Sequence, residues 1–182
     1  SEMASELPWL ARLDIASLVA DRNDAIAVDV QIDIQPLPAD HERYGHMAIC
    51  PYPSQLESEE MLKDGRPCTL RAIRPEDTAA LQDFVRGLSV RSKRLRFFSA
   101  LNELPRHQLA RYAQIDYGRE MVIVATRRED GLQRILGEAR YSILLDGRTC
   151  DFAIVIADDM AGQGLGARLM RRLMEAGRSQ NL

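Results

Sequence analysis

Residues 150–170, CDFAIVIADDMAGQGLGARLM, join an apolar β-rich run to a basic helical segment through a glycine-rich turn. Gly162, Gly164 and Gly166 lack the side chains that would keep a phosphate group away from backbone N–H groups. The first N–H groups of the helix that follows have no acceptor within that helix, and the helix dipole places its positive end there. The segment therefore predicts a cradle for a diphosphate at the helix N-terminus.

The spacing of these glycines differs from that of two common phosphate-binding loops. Neither the dinucleotide-binding G-x-G-x-x-G nor the G-K-[ST] of the P-loop is present. The turn resembles the acyl-CoA pyrophosphate loop of the GNAT N-acetyltransferase superfamily, whose usual form is Q/R-x-x-G-x-G/A. Gly164 and Gly166 fall on its glycine positions, whereas Ala161 and Gln163 stand where Gln or Arg is common. Since backbone amides do most of the phosphate holding, these departures weaken charge complementarity more than they abolish binding. The alternative is a tight strand-to-helix connection without a ligand.

Segments upstream of the loop extend this resemblance. Residues 70–77 (LRAIRPED) are similar to the first strand and the first helix entry of GNAT domains, and Pro-Glu-Asp is a typical helix start. Residues 92–98 predict a short helix, and residues 121–126 and 135–142 predict a β-hairpin. Residues 115–121 (IDYGREM) are similar to the branch of GNAT enzymes that resembles bacterial protein lysine acetyltransferases.

The resemblance covers residues 66–182 and implies an α/β (α+β) fold. In the GNAT fold, a mixed and mostly antiparallel sheet is flanked by helices. That fold continues after the phosphate-loop helix with a further strand, another helix and usually a closing hairpin. We therefore expect the C-terminal part of the domain to be absent from this chain. The sequence does not decide whether this piece is active by itself.

The first 35 residues belong to a different predicted module. Two β-rich runs predict a hairpin, and it resembles the closing hairpin of the ATP-grasp domain in NDP-forming acyl-CoA synthetases. Asp14 and Asp29 match positions that hold magnesium there, but Ala16 and Ser17 replace the Asn and Pro of the motif. Loss of an amide oxygen ligand argues against Mg-ATP chemistry. The alternative is that both aspartates are ordinary surface or turn residues.

Residues 36–65 contain four prolines and predict a linker between the two modules. A loop of this length is unusual inside a compact domain. Residues 43–49 are an alternative strand candidate within it. The predicted organisation is an ATP-grasp-like tail at 1–35, a linker at 36–65 and a GNAT domain at 66–182.

Composition restricts the class of protein. The 182 residues are 46% hydrophobic and 28% charged, with a formal net charge of −3, which gives no support for nucleic-acid binding. No apolar run approaches the ~18–20 residues of a membrane span. Three widely separated cysteines predict reduced thiols in the cytoplasm, and the three histidines lack metal-ligand spacing, so no metal is expected.

Arginines cluster at 86–96 and 168–172. The first cluster alternates with Leu95, Phe97 and Phe98 and indicates a solvated amphipathic helix or, alternatively, a partner face or a site for the CoA 3′-phosphate.

The resemblance also implies a reaction. In GNAT enzymes an amine attacks the acetyl-CoA thioester directly, and a carboxylate, often acting through water, removes the proton of the ammonium group. Asp151 stands where a glutamate commonly opens the strand that leads to the phosphate loop, so it is the candidate base. Because aspartate is one methylene shorter, a bridging water is expected. Glu138 in the preceding strand is the second candidate. The alternative for Asp151 is a solvated charge at the edge of the sheet.

Acetyl-CoA is the implied co-substrate. Backbone groups in the strand are expected to bind pantetheine and the oxyanion, and the loop to bind the diphosphate. The strand residues are Ile154, Val155 and Ile156, and the loop residues are Gly162, Gln163, Gly164, Leu165, Gly166 and Ala167.

The resulting hypothesis is an acetyl-CoA-dependent N-acetyltransferase that acetylates a lysine of a metabolic enzyme such as an acyl-CoA synthetase. One alternative is a non-catalytic module that senses acyl-CoA and has lost its base. Another is a GNAT enzyme that acts on a small-molecule amine. The sequence leaves the acceptor, the general acid and the oligomeric state open.

Overall fold

The computed structural model describes residues 7, 9–21, 24–36, 50–99 and 101–182. The chain divides into two units, Ser1–Pro51 and Tyr52–Leu182. Most of the predicted linker, including the strand candidate at 43–49, lies outside the described residues.

The first unit contains an antiparallel hairpin of β1 (Leu10–Ala20) and β2 (Ala25–Ile34). This confirms the hairpin prediction. Asp14 accepts a hydrogen bond from Arg12 at 2.7 Å in an exposed ion pair. No cluster of three or more His, Cys, Asp or Glu suited to a metal ion occurs in the part of the chain that the structure describes. The resemblance to an ATP-grasp tail stays a prediction.

The second unit is built on a five-stranded antiparallel sheet in the order β3-β4-β5-β6-β7. Its strands are β3 (Ser58–Met61), β4 (Pro67–Ala72), β5 (Glu120–Glu129), β6 (Leu132–Ile143) and β7 (Cys150–Ile156). Its helices are α1 (Thr78–Gly87), α2 (Val90–Phe97), α3 (Arg106–Ala113) and α4 (Leu165–Ser179), and 3₁₀ turns form at Ser54–Leu56, Pro75–Asp77 and Asp158–Met160. Helices flank the sheet, which confirms the predicted fold class.

The central strand β5 is apolar on both faces because helices cover the sheet. Residues 122–125 are fully buried, and α4 packs against β5, β6 and β7. Helix α1 packs against β6. A continuous apolar run is expected where both faces of a strand are covered. None of the helices among the described residues is both long and apolar enough to cross a membrane.

The entry into α1 follows from a buried carboxylate. Asp77 accepts hydrogen bonds from Arg71 Nη1 and Nη2 at 2.7 and 2.6 Å and from the Arg74 amide at 2.8 Å. Both charged side chains of the Arg71–Asp77 pair are about 95% buried. The bidentate geometry offsets part of the desolvation cost and fixes the end of β4 against the helix start. The predicted Pro-Glu-Asp start is therefore confirmed.

The second unit begins earlier than the predicted domain boundary at residue 66. Strand β3 lies within the predicted linker and pairs with β4. Its polar sequence, SEEM, gives no apolar alternation, and a contact far along the chain holds it in place. Glu60 accepts a hydrogen bond from Arg168 of α4 at 2.6 Å, across 108 positions. The folded unit therefore includes residues 52–65.

Candidate functional site

The glycine-rich turn between β7 and α4 adopts backbone conformations that favour glycine. Gly162 has φ 79° and Gly164 has φ 78°, and Gly164 is the N-cap of α4. Side chains in this left-handed region are strained. Gly166 differs, since an added Cβ would meet Ile154 and Ile156 only at ordinary contact distances of 3.9 and 4.0 Å. Two of the three glycines are thus required by the turn itself.

Backbone N–H groups are left unpaired along this turn. Five amides have no hydrogen-bond acceptor among the residues of the second unit that the structure describes. They belong to Gly162, Gly164, Leu165, Gly166 and Ala167. They lie at the N-terminus of a 15-residue helix, where the helix dipole adds positive potential. This arrangement suits an anion with several oxygens, as the sequence predicts.

Gln163 is held differently from its neighbours. The backbone N–H of Gln163 donates to the Met160 carbonyl at 3.4 Å, and its side-chain Oε1 accepts from the Asp64 backbone amide at 3.1 Å. Both groups are therefore used within the protein. Gln163 fixes the loop to the turn between β3 and β4.

The start of the loop is tied to α2. Asp158 accepts hydrogen bonds from the Ser89 amide at 2.7 Å and from the Ser89 and Ser92 hydroxyls at 2.9 and 2.8 Å. The bond from the Ser89 amide is the main cause that holds the pKa of Asp158 below its usual value. Asp159 accepts from Arg134 of β6 at 2.6 Å. These bonds fix the loop entrance to two other elements.

Strand β7 is at the edge of the sheet and offers only part of its backbone for ligand binding. The Ala157 amide donates to the Leu136 carbonyl, and the register then runs without a shift from Gly137↔Ile156 to Ile143↔Cys150. Because hydrogen-bonded and non-hydrogen-bonded pairs alternate in antiparallel strands, the backbone groups of Val155 point toward β6. Those of Ile154 and Ile156 point away from β6, toward the free edge. Val155 thus differs from the sequence expectation, since its backbone is used by the sheet.

Glu138 lies on β6 with its side chain 2% exposed. Its Oε1 accepts from Arg96 Nη2 and Nε at 2.8 and 3.2 Å, and its Oε2 accepts from Arg140 Nη2 at 3.3 Å. Burial by itself would raise the pKa of the Glu138 carboxyl, but the charges of Arg140 and Arg96 outweigh burial and lower it. Glu138 is therefore an engaged counter-ion for two arginines.

Asp151 is exposed near the start of β7 and pairs in register with Ser142. Its carboxylate has no hydrogen bond or ion pair to any other described residue. Side chains alternate along strands, so Asp151 shares one face of the sheet with Glu138 and Arg140. The two candidate bases are therefore on the same face, but only Asp151 has a free carboxylate.

A groove of about 670 Å³ opens on this face one strand away from Asp151, which is not itself among the lining residues. Ser142, the register partner of Asp151, lines it. The other lining residues are Arg96, Phe97, Phe98, Ser99, Leu101, Glu103, Pro105, Gln108, Arg111, Tyr112, Glu120 and Arg140. The Arg140 guanidinium lies 4.0 Å from the centroid of the Tyr112 ring. The groove is formed by α2 and α3 together with β5 and β6. The arginine cluster at 86–96 was the sequence feature that pointed to it.

The groove and the loop are at opposite ends of β7. The five residue steps from Asp151 to Ile156 span roughly 17 Å at about 3.3 Å per residue. An extended pantetheine arm has a similar length. A ligand with a diphosphate at the loop would therefore carry its distal end to Asp151.

Comparisons with known proteins identify the family of this chain. The family model described as Acetyltransferase (GNAT) family matches residues 89–182. The chain is 37% identical over 119 residues to acetyltransferase PA5475 of Pseudomonas aeruginosa, which covers 65% of this chain and 64% of that protein. The chain thus spans less than two thirds of this curated relative.

Two solved structures are similar in fold. The GNAT domain of S. lividans PAT has a TM-score of 0.65 at 24% identity, covering 72% of this chain and 77% of that one. The Salmonella typhimurium protein yncA, described as a putative acetyltransferase with its cofactor acetyl-CoA, has a TM-score of 0.46 at 21% identity, covering 62% and 64%. The first likeness supports the fold. Because the family model matches more than half of the residues, the chain belongs to the GNAT acetyltransferase family, whose members use acetyl-CoA as co-substrate.

Proposed function

We propose that this protein is an acetyl-CoA-dependent N-acetyltransferase whose acceptor is a lysine side chain of another protein. The observation that supports it most is the row of five unpaired amides at the N-terminus of α4, joined by the free edge of β7 to an accessible carboxylate. One end of this arrangement suits a diphosphate, and the other suits proton removal. The spacing between the two ends suits a pantetheine arm.

In the proposed complex, the amides of Gly162, Gly164 and the first turn of α4 bind the CoA diphosphate. Pantetheine extends along β7, where the outward backbone groups of Ile156 and Ile154 bond to its amides as a neighbouring strand would. An N–H at the free edge, such as that of Ile154, stabilises the oxyanion that forms on the thioester carbonyl.

Asp151 is the proposed general base. A lysine ammonium with a pKa near 10.4 must lose a proton before its nitrogen attacks the thioester. The C–S bond then breaks, and CoA leaves as a thiolate that takes up the second proton released by the nitrogen. The exposed Asp151 carboxylate accepts that proton through a bridging water, since it has no protein partner that competes for it. Glu138 is less suited, because its pKa is lowered and both of its oxygens accept from arginines.

The groove one strand away from Asp151 is the proposed acceptor site. Tyr112 and Phe98 provide aromatic surface in its lining, where Glu120 is a carboxylate and Arg111 a cation without an ion pair to another described residue. The apolar stem of a lysine side chain suits the aromatic surface, and the Glu120 carboxylate suits its cationic head. The choice of a metabolic enzyme such as an acyl-CoA synthetase as target rests on the resemblance at residues 115–121.

We also propose that the N-terminal hairpin is the tail of an ATP-grasp-like module and that the protein acts in the cytoplasm. The resemblance around Asp14 and Asp29 supports the first part. The second part is supported by Cys68 and Cys150, which have no cysteine partner among the described residues, as is usual for reduced thiols.

The test combines acetyl-CoA binding with acetyl transfer to a lysine acceptor in the intact protein. Asp151→Asn is expected to lower transfer by roughly 10²–10⁴-fold at neutral pH while acetyl-CoA affinity stays near that of the wild type. Higher pH should partly restore the rate, because more of the acceptor is already deprotonated. Asp130→Asn is the matched control, since Asp130 is an exposed aspartate in the turn between β5 and β6 with φ 50°, which Asn tolerates.

Full transfer by Asp151→Asn at neutral pH would contradict its role as base. Acetyl-CoA binding by the wild type without transfer to any amine would favour the sensing function instead. Transfer to small amines but not to protein lysines would favour the small-molecule enzyme.

A further inference from the structure

The diphosphate cradle lacks a cation of its own. Residues 158–167 contain no Lys or Arg, while Asp158 and Asp159 at the entrance are acidic. Unpaired amides carry only partial charges, and the CoA diphosphate carries two negative charges. A cation from elsewhere in the fold would therefore improve the charge balance of this site.

Lys63, in the turn between β3 and β4, lies against the cradle. Its Cε is 3.5 Å from the position that a Cβ on Gly164 would occupy. The ammonium nitrogen is one bond further along the side chain. Lys63 is exposed and makes no hydrogen bond or ion pair with the described part of the chain. The ammonium is thus free to bind a ligand at the N-cap of α4.

The turn that carries Lys63 is held in place. The Leu62 amide donates to the Arg66 carbonyl at 2.9 Å, and the Gly65 amide donates to the Leu62 carbonyl at 3.0 Å. Asp64 accepts from Arg66 Nη2 and Nε at 2.7 and 2.9 Å. The Asp64 amide donates to Gln163 Oε1, which joins this turn directly to the phosphate loop. Lys63 is therefore presented to the cradle by an ordered segment.

The arginines nearest the loop are already paired. Arg168 in the first part of α4 binds Glu60 at 2.6 Å, and Arg134 binds Asp159 at 2.6 Å. Arg66 binds Asp64 at 2.7 Å. An arginine that already has a carboxylate partner gains less from a phosphate than an unpaired ammonium does. Lys63 is the cation beside the cradle that has no such partner in the described residues.

We propose that the Lys63 ammonium binds the CoA diphosphate and provides the positive charge that the loop does not contain. This inference rests on the proposed acetyl-CoA site. It assigns a residue 101 positions before Gly164 to the same binding site, through the contact between the two.

The experiment measures acetyl-CoA affinity by calorimetry in the full chain. Lys63→Gln is expected to weaken binding about threefold to fivefold at low salt, the effect of one exposed charge contact, and by less as salt screens it. Lys63→Arg should stay within about twofold of the wild type, because the charge is kept. Arg178→Gln is the matched control: it removes the same charge roughly 20 Å away along α4, at about 1.5 Å per residue.

Dephospho-CoA separates the diphosphate from the 3′-phosphate, since it retains only the diphosphate. We expect the same fold loss for Lys63→Gln with CoA and with dephospho-CoA. A loss that disappears with dephospho-CoA would overturn the assignment to the diphosphate. Equal affinity of Lys63→Gln and the wild type for acetyl-CoA would overturn the role of Lys63 but leave the proposed function intact. A wild type that does not bind acetyl-CoA would overturn both.

Discussion

Replacing Glu138 by Gln tests whether this carboxylate is a structural counter-ion or a base. The side chain is 2% exposed, and Arg96 and Arg140 are 7% and 12% exposed. Glu138→Gln removes the only carboxylate that either arginine binds within the described residues. Breaking a buried ion pair from one side typically costs about 3–5 kcal/mol, because the remaining charge stays buried without compensation. Since Gln still accepts hydrogen bonds, we expect a loss near the lower end of that range, about 3 kcal/mol.

The loss is measurable as a shift in the thermal unfolding of Tyr52–Leu182. A unit of roughly 130 residues has an unfolding entropy of about 0.27 kcal/mol/K, so about 3 kcal/mol lowers Tm by about 11 °C. Calorimetry or circular dichroism at neutral pH provides the measurement. Glu103→Gln is the control, since Glu103 pairs with Arg86 where both side chains are 54% exposed. Exposed pairs of this kind contribute about 0–1 kcal/mol, so the control should lower Tm by less than about 4 °C.

The effect of Glu138→Gln should also depend on pH. Because the pKa of Glu138 is lowered in the folded protein, its stabilising contribution is present above the unfolded pKa near 4.3. The contribution is lost as pH falls through the folded pKa. The difference in Tm between Glu138→Gln and the wild type should therefore shrink in acid below about pH 4.

Two outcomes would refute this reasoning. A Tm within about 2 °C of the wild type at neutral pH would mean that the two arginines do not need Glu138. A normal Tm together with a transfer rate reduced by roughly 10²-fold or more would identify Glu138 as the base instead.

The loop itself provides two further predictions. Gly164→Val should weaken acetyl-CoA binding at least about tenfold by calorimetry, because a branched side chain at φ 78° strains the turn and covers the cradle. Gly87→Val is the control, since Gly87 lies at an open site with an ordinary φ. Unchanged affinity of Gly164→Val would contradict the assignment of the loop as the diphosphate cradle. Asp158→Ala should lower Tm by about 4 °C, from about 1 kcal/mol of lost hydrogen bonds to Ser89 and Ser92, and weaken acetyl-CoA binding through the displaced loop entrance. Asp159→Ala removes only an exposed ion pair with Arg134 and should change Tm less. Equal shifts for both aspartates would argue against a stabilising role of the Asp158 hydrogen bonds.

Local patterns were sufficient for the elements that carry the site. The predicted helix at 92–98 corresponds to α2 (Val90–Phe97), and the predicted hairpin corresponds to β5 and β6, although both strands are longer. The fold class also followed from the sequence. Strand β3 escaped prediction because its four residues are polar, and its position depends on pairing with β4 and on Arg168.

The roles of individual side chains were predictable only in part. The two candidate bases have similar chemistry and lie in adjacent strands, so spacing does not distinguish them. The structure separates them because Arg96 of α2 reaches Glu138 across 42 positions, whereas no such partner reaches Asp151. Likewise, alternation makes Ile154, Val155 and Ile156 equivalent candidates in sequence. The register with β6 then divides their backbone groups between the sheet and the free edge.

The sequence by itself determined the glycine-rich loop, the helix behind it and the strands other than β3, because turn conformation and side-chain periodicity depend on near neighbours. The tertiary structure alone decided that Lys63 lies beside Gly164, that Gln163 binds the Asp64 amide and that Glu138 is neutralised by two arginines. These contacts join residues 42 to about 100 positions apart, apart from the local bond between Glu138 and Arg140. Their formation depends on how the sheet and helices close on one another, and no local pattern in the chain encodes that closure.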